Sequence, residues 1–277
     1  MKEKMKLIAA LLTTALLASC AGSGEQGSTT DNSDSPAQDS DRTTFVVGFD
    51  AEFPPYGYKD ENGEFTGFDL EMAEAVAELE GWELVKQPID WDAKDMELSS
   101  GTIDCIWNGF TMDGREDQYT WTTPYIDNSQ VFVVPTDSDV TVAEDLAGKN
   151  VGVQKDSSAL AALENEDNAE LTGSFSSLTQ YGDYNTAFMD LEAGALDAIA
   201  LDVGVADYQI ASRDNKFKKL EKPLASEVYA VGFLKGNDEL RDTVQEDIYK
   251  LYDDGTVKEL ADKYGLTDYI VIEENRK

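Results

Sequence analysis

Two stretches of the chain repeat one pattern, and they constrain the fold more than any other feature. MELSSGTIDCI (96–106) and MDLEAGALDAI (189–199) share Met, Leu, Gly, Asp and Ile at matching positions. Each stretch predicts the end of a helix, a glycine that stops it and then a buried strand. Any α/β protein contains such units, so one copy alone would predict little. Two copies favour two similar α/β lobes, each with a loop at the carboxyl end of its strand, where open α/β sheets bind ligands.

Helix and strand patterns alternate along the rest of the chain. The first part predicts a strand at 43–50, a hairpin turn at Asn62-Gly63 and a helix that Asp69 caps and Gly81 ends. The later part predicts strands at 126–136 and 228–235 and helices at 238–253 and 255–264. This alternation again predicts an α/β fold.

The first twenty residues predict a leader segment. Three lysines precede an apolar run at 7–17 that is too short to span a bilayer, and the run ends in Leu-Ala-Ser before Cys20. This pattern is similar to a bacterial lipoprotein signal: residues 1–19 would be removed and Cys20 would carry acyl chains such as palmitate. The alternative is an ordinary signal peptide with an incidental cysteine. Acylation would anchor the protein to the outer face of the cell membrane, and the Ser/Gly/Asp-rich residues 20–42 would form a flexible tether.

Cysteine, histidine and charge exclude several classes of function. Beyond Cys20 only Cys105 remains, which predicts a small buried apolar residue, and the chain has no histidine. Ser–His and Cys–His nucleophile pairs are therefore excluded, and we expect neither a metal site nor a cofactor. With 56 acidic and 22 basic residues, the net charge is −34. Such a chain repels nucleic acid and favours neutral or cationic small molecules.

Two residues of opposite charge follow the repeated strands. The first loop begins at Asn108 and contains Arg115, whose planar fork suits a carboxylate; the second strand ends at Asp202, which suits an ammonium. Together they would hold a zwitterion. The alternatives are that Arg115 pairs with Glu116 or Asp117 at the surface, and that Asp202 only caps the helix it opens.

Other polar and aromatic residues are predicted at the same edges. Ser157-Ser158 opens a helix whose free N–H groups suit a carboxylate, although the serines could simply cap it. Asp50 and Glu52 end the first strand just before Phe53, so they could receive a cationic or amide side chain beside an aromatic ring; solvated acids are the alternative. Trp107 is either core or a pocket wall.

Four segments together resemble the family-3 solute-binding proteins of amino-acid ABC importers, over about Thr44 to Leu266. They are GFDAEFPPYGYKDENGEFTGFDLEMA, SGTIDCIWNGFTMDGREDQYTWTTPY, LAGKNVGVQKDSSALAAL and GALDAIALD. The resemblance implies an α/β, two-lobed periplasmic-binding-protein type II fold, each lobe a mixed sheet flanked by helices. It implies a first lobe of 43–133 plus 229–277, a second lobe of 134–228, and hinge crossings near Val134-Pro135 and Val228-Tyr229.

The resemblance also implies roles for the site residues. Arg115 would take the α-carboxylate, helped by Thr111 and the backbone at Ser158, and Asp202 would take the α-ammonium. Phe53 would stack along the ligand side chain, and Asp50 would meet its head group. Trp107 and Asn108 complete the expected ligand-binding set.

The chain departs from the family pattern at two places in this set. The loop TMDGR, from Thr111 to Arg115, is one residue shorter than in many relatives, which puts the Thr111 contact in doubt. Asp156 stands where relatives often have Gly or Ser, and it brings a negative charge close to the expected carboxylate subsite.

The function implied is capture of a free L-amino acid, polar or basic, cystine included, followed by delivery to ABC permease subunits in the membrane. The chain would act as a monomer, without nucleic acid and without catalysis; it has no GxxxxGK[ST] motif for nucleotide hydrolysis. Two alternatives stay open. One is an exported enzyme of the same fold, of the dehydratase type, and the other is a sensory or adhesive amino-acid-binding lipoprotein.

Overall fold

A computed structural model describes residues 42–276 of the chain. The predicted signal peptide 1–19, the lipidation site Cys20 and all of the predicted tether except Arg42 lie outside the described residues. Within residues 42–276, none of the helices combines the length and the apolar character needed to cross a membrane.

The strands and helices follow the predicted α/β alternation. The strands are β1 (Thr44–Phe49), β2 (Glu52–Phe53), β3 (Gly57–Lys59), β4 (Phe65–Thr66), β5 (Glu83–Pro88), β6 (Cys105–Ile106), β7 (Thr120–Trp121), β8 (Ile126–Pro135), β9 (Asn150–Gln154), β10 (Ser177–Tyr181), β11 (Ala198–Asp202), β12 (Phe217–Lys219), β13 (Ala225–Tyr229) and β14 (Gly232–Phe233). The α-helices are α1 (Phe68–Glu80), α2 (Lys94–Ser100), α3 (Ser158–Glu164), α4 (Ala169–Ser174), α5 (Tyr184–Glu192), α6 (Val203–Ser212), α7 (Asp238–Asp253), α8 (Thr256–Tyr264) and α9 (Ile272–Asn275).

Most strands form two mixed sheets, one in each of two lobes, as predicted, and β2, β3 and β4 form a small antiparallel sheet. The first sheet has the order β5-β1-β6-β14-β7, and the second has the order β10-β9-β11-β8-β12, with β13 also paired to β8. In the first sheet β1 is parallel to β5 and β6, and its alternate residues Phe45, Val47 and Phe49 are fully buried, because helices cover the sheet. Helix α1 packs on β1 and on α7 and α8.

The repeated segments form equivalent units in the two lobes. Helix α2 ends at Gly101 with φ 75° and leads to β6, while α5 is followed by Gly194 with φ 74° and leads to β11. Both glycines therefore reverse the chain in the left-handed region, where a side chain would be strained. Strand β6 is parallel to β1 and β11 is parallel to β9, so both units end at the carboxyl edge of their sheet.

The predicted strand 228–235 is wrong in one respect, because it divides between the two sheets. Strand β13 pairs with β8 in the second sheet, and β14 pairs with β6 and β7 in the first. The chain therefore crosses between the lobes at residues 230–231.

The other crossing lies earlier than the sequence predicts. Trp121 belongs to the first sheet, whereas β8 pairs within the second sheet from Ile126 onwards. Val134 and Pro135, where the sequence predicts a crossing, instead pair with β12 inside the second sheet.

The predicted cap of the first helix is also wrong. Helix α1 begins at Phe68, with Gly67 at the cap position, so Asp69 lies inside the first turn. Its fully buried carboxylate accepts a 2.6 Å hydrogen bond from the N–H of Gly109. Asp69 thus ties the helix to the loop that carries Arg115.

Candidate functional site

Arg115 lies in the loop that follows β6, and its guanidinium points towards the second lobe. Its Nη1 donates to the backbone oxygen of Thr111 at 3.1 Å and to Oγ of Ser158 at 3.2 Å. The guanidinium carbon also lies 5.3 Å from the centre of the Phe110 ring. Arg115 makes no ion pair with any carboxylate of residues 42–276. The predicted surface pairing with a neighbouring acid is therefore not observed.

Local hydrogen bonds fix the shape of this loop. The N–H of Arg115 donates to Met112 O at 2.9 Å, closing a turn, and Trp121 Nε1 donates to Arg115 O at 3.1 Å. At the start of the loop Gly109 has φ 55°, and a Cβ there would come within 2.8 Å of Phe53 and 3.0 Å of Tyr229. The short loop therefore holds the guanidinium in place through its backbone.

The two serines at the start of α3 make different contacts: one caps the helix and the other contacts Arg115. Ser157 caps the helix, because its Oγ accepts from the N–H of Leu160 at 3.1 Å. Ser158, the next residue, presents its Oγ to Arg115.

Asp202 ends β11 and is buried, but its carboxylate does not cap α6. Its Oδ1 instead accepts hydrogen bonds from Asn128 Nδ2 at 3.0 Å, from Gln130 Nε2 at 2.6 Å and from the hydroxyl of Tyr229. Burial raises the pKa of the Asp202 carboxyl, and these donors oppose the rise.

Thr111 is held by a residue that the sequence analysis missed. Its Oγ1 donates to Oε1 of Glu227 at 2.8 Å, and the same oxygen accepts from Asn128 and Gln130, each at 2.7 Å. Burial and then the charge of Asp202 raise the pKa of Glu227 to about 7. Nothing in the local sequence separates Glu227 from the many exposed glutamates, since only strand pairing brings it to Asp202.

Asp50 lies at the end of β1 and faces the second lobe. Its Oδ2 accepts from Gln154 Nε2 at 2.6 Å, and its Oδ1 accepts from the N–H of Glu52 at 2.8 Å. Asn108 Oδ1 accepts from the N–H of Asp50 at 3.0 Å, so the buried side chain of Asn108 braces this position. Burial raises the pKa of Asp50 to about 6.

The two predicted aromatic residues have different environments. Phe53 lies against Tyr56 and Tyr184, with ring centroids 5.8 Å and 6.1 Å away. Trp107 is fully buried, and its ring lies 6.5 Å from that of Tyr125. Phe53 therefore belongs to an aromatic cluster between the lobes, whereas the indole of Trp107 is core.

Polar contacts connect the two lobes around these residues. Lys94 pairs with Asp156, Lys155 pairs with Asp92 at 2.6 Å, and Asn185 donates to Glu52. Asp156 has φ 57°, and its side chain turns to Lys94. The negative charge expected near the carboxylate subsite is thus offset by a buried ammonium.

Two cavities open beside the candidate residues. One, of about 490 Å³, is lined by Arg115, Ser158 and Glu227. The other, of about 550 Å³, extends from Asp50. Its charged lining residues are Asp50, Glu52, Asp90, Asp92, Glu97, Lys155 and Asp183.

Comparisons with known proteins agree with the two-lobed α/β fold. The family model for bacterial extracellular solute-binding proteins, family 3, matches residues 45–267. The L-cystine-binding protein TcyJ of Escherichia coli K12 is 28% identical over 228 residues, 81% of this chain and 83% of that protein. A histidine-bound substrate-binding protein of an ABC uptake transporter from Streptococcus pneumoniae is 35% identical with a TM-score of 0.76, covering 80% of this chain and 92% of that chain. An ancestral amino-acid-binding protein, a precursor of cyclohexadienyl dehydratase, is 27% identical with a TM-score of 0.73. The match covers 80% of this chain and 95% of that chain.

Proposed function

Because the chain belongs to the bacterial extracellular solute-binding proteins of family 3, it is the substrate-binding component of an amino-acid ABC importer, and we propose that its ligand is a free L-amino acid with a cationic or polar side chain. L-Cystine, with its second ammonium, belongs to this class. The ligand would lie between the lobes, with its α-carboxylate on Arg115 and its α-ammonium on Asp202.

The lone guanidinium of Arg115 is the observation that carries this proposal. In a chain with 56 acidic residues, a half-buried arginine without a carboxylate partner among residues 42–276 is unusual. A planar fork in this position suits a carboxylate that comes from outside the protein. Ser158 would contribute its hydroxyl to the same carboxylate, because it already contacts Arg115.

The other end of the ligand has acidic surroundings. Asp50 and the cavity beyond it present six carboxylates and one ammonium, that of Lys155, which is already paired with Asp92. A cationic head group would offset this charge, and an acidic one would be repelled. Phe53 would cover the aliphatic part of the side chain.

Closure of the lobes is proposed as the mechanism of capture. We take the lobes as residues 42–121 with 232–276, and residues 126–229, joined by the two crossing segments. Ligand contacts to Arg115 on one lobe and Asp202 on the other exist together only in the closed form, so binding would favour closure. The closed protein would then dock on the permease.

The proposal also covers the location of the protein. Cys20 would carry an acyl anchor, and the protein would act as a monomer on the outer face of the membrane.

A second candidate is an enzyme of the same fold. Asp50 and Glu227 are buried in the cleft, which is the space between the two lobes. The pKa values of their carboxyls are raised to about 6 and about 7, which suits general acid–base catalysis. Fold alone does not separate binding from catalysis. Loss of water from an aromatic precursor acid in the presence of the protein would support this candidate.

Calorimetric titration of the purified chain with the common L-amino acids and L-cystine tests the main proposal. We expect one class to bind, Arg115→Ala to weaken its binding about 100-fold or more, and Arg115→Lys to weaken it less, because lysine keeps the charge and loses the fork. Arg276→Ala, at the far end of the chain, is the matched control. Absence of binding to any amino acid, or equal binding by Arg115→Ala, would contradict the proposal.

A further inference from the structure

Two of the buried carboxylates between the lobes, those of Asp202 and Glu227, are held by the same pair of amides. Strand β8 lies between β11 and β13, with Gln130 opposite Asp202 and Asn128 opposite Glu227. Because Asn128 and Gln130 are two residues apart on one strand, their side chains project from the same face. Each amide nitrogen therefore reaches both Asp202 Oδ1 and Glu227 Oε1, at 2.6–3.0 Å.

No positive charge of residues 42–276 forms an ion pair with either carboxylate. Their hydrogen-bond donors are neutral amides together with the hydroxyls of Thr111 and Tyr229. Asp202 is 4% exposed and Glu227 is 6% exposed. Two like charges at such a site repel each other and are poorly solvated, so the pair requires either a shared proton or an outside cation.

Thr111 places this pair next to the arginine of the proposed carboxylate subsite. Its backbone oxygen accepts from Arg115 at 3.1 Å, and its hydroxyl donates to Glu227 at 2.8 Å. Thr111 therefore connects the Arg115 guanidinium, which has no carboxylate partner among residues 42–276, to the pair of Asp202 and Glu227, which has no cationic partner there. The α-carboxylate and α-ammonium of an amino acid are separated by a single carbon, so such a ligand needs a cation and an acid that lie close to each other.

Other titratable groups surround Glu227. From the neighbouring elements these are Asp202 on β11, Tyr229 on β13, Tyr184 on α5, and Arg115 and Asp113 in the loop after β6. The cavity that Glu227 lines also contains Lys94, Asp95, Tyr119 and Asp156. Arg115 and Lys94 are the positive groups among these, and Lys94 is paired with Asp156.

We propose that Glu227 is a second carboxylate of the ammonium subsite, and that the pair of Asp202 and Glu227 holds one proton in the ligand-free protein and releases it when the ligand ammonium binds. The inference rests on the proposed function, since it concerns the same subsite. No bond other than O–H breaks: the proton leaves the pair for the buffer, and the ammonium takes its place. The raised pKa of Glu227, about 7, is consistent with a proton held near neutral pH.

Proton release is measurable directly. Calorimetry of full-length protein with L-arginine and with L-cystine, in buffers of different ionisation enthalpy, gives the number of protons released at each pH. Glu227→Gln keeps the size and the acceptor oxygen towards Thr111 but removes the carboxyl. Glu221→Gln, an exposed glutamate that precedes β13, is the matched control.

At pH 6 we expect the wild type and Glu221→Gln to release close to one proton, and Glu227→Gln to release much less. Between pH 5 and pH 7 the wild-type affinity should rise by up to about tenfold per pH unit, with a flatter profile for Glu227→Gln. Because the wild type and the variants are compared with the same ligand, protons released by Asp50 contribute equally to each and do not affect the difference. Equal proton release by Glu227→Gln and wild type would overturn the inference and leave amino-acid binding intact.

A second measurement needs no ligand. At pH 6 the infrared band of protonated carboxyls, to which Asp50 and Asp69 also contribute, should be weaker in ligand-free Glu227→Gln than in the wild type and unchanged in Glu221→Gln. Identical spectra would overturn the inference even if neither amino acid bound. A missing calorimetric signal with every amino acid would instead contradict the proposed function.

Discussion

Lys94 and Asp156 form an ion pair that joins the first lobe to the second. The Lys94 side chain is 2% exposed and lies over the ring of Trp91, with its nitrogen 5.1 Å from the ring centroid, while the Asp156 side chain is 53% exposed. Asp156 adopts left-handed backbone to reach it, which non-glycine residues do seldom. A contact between lobes exists only when they are close, so this pair would stabilise the closed form that we propose.

Removal of this ion pair should weaken ligand binding without unfolding the protein. Because Asp156 is half exposed, we expect a contribution of at most about 1 kcal/mol, so Asp156→Asn should weaken binding up to about fivefold. The effect should shrink at high salt. Asp167→Asn, an exposed site on the same lobe, makes the same change of charge and is the control. Calorimetry at two salt concentrations measures both, and equal affinities would show that the pair does not favour closure.

Buried carboxyls should make the protein less stable as the pH rises. Burial raises the pKa of Asp69 from 3.8 to about 7, and the pKa values of Asp50, Asp202 and Glu227 are raised as well. At pH 6 the folded form therefore binds more protons than the unfolded form, and the free energy of unfolding falls as the pH increases. For Asp69 the fall begins near pH 4 and ends above pH 7, with an upper bound of about 4 kcal/mol.

Asp69→Asn isolates this effect. The amide keeps an acceptor for the Gly109 N–H but cannot ionise, so the free energy of unfolding should fall less between pH 5 and pH 8 than in the wild type. Denaturant unfolding at a series of pH values measures the slope. Asp137→Asn, at an exposed position, should leave the wild-type slope unchanged. A slope equal to that of the wild type in Asp69→Asn would mean that Asp69 remains ionised in the folded protein.

Periodicity and glycine positions predicted the α/β class and two lobes, and the family resemblance predicted the mixed sheet of each lobe. Two helix–glycine–strand units at 96–106 and 189–199 predicted two α/β lobes, and α7 begins and ends where its apolar stripe predicts. The positions where the chain crosses between the lobes were harder to predict, because the sequences of strands 126–135 and 225–229 fit a core strand of either lobe. The sheet that a strand joins is decided by pairing with residues far away in the sequence, and the local pattern does not predict that pairing.

The candidate site was predicted only where a residue's own chemistry is distinctive. Arg115 is a basic residue in the acidic loop after β6, and Asp202 is an acid at the end of the apolar strand β11. Glu227 and Gln154 gain their importance from partners more than 70 residues away, Thr111, Gln130 and Asp50. Asp69 was predicted to cap a helix because aspartate commonly does so, whereas a buried N–H of Gly109 required its carboxylate.

Gly109 should be required for ligand binding more than for folding. Alanine at this position would strain the left-handed backbone, φ 55°, by about 1 kcal/mol, and its Cβ would also come within 2.8 Å of Phe53 and 3.0 Å of Tyr229. Those two rings border the cleft, and Tyr229 donates to Asp202, so displacing them should weaken binding about tenfold or more.

Gly101→Ala is the matched control, since Gly101 has φ 75° with no atom within 4 Å of a Cβ, and it ends a helix away from Asp202. Both variants should lose free energy of unfolding from backbone strain, with a further loss in Gly109→Ala from the close ring contacts, but only Gly109→Ala should lose affinity in calorimetry. If Gly101→Ala lost affinity equally, general loss of stability would explain the result, and the rings of Phe53 and Tyr229 would have no special part in binding.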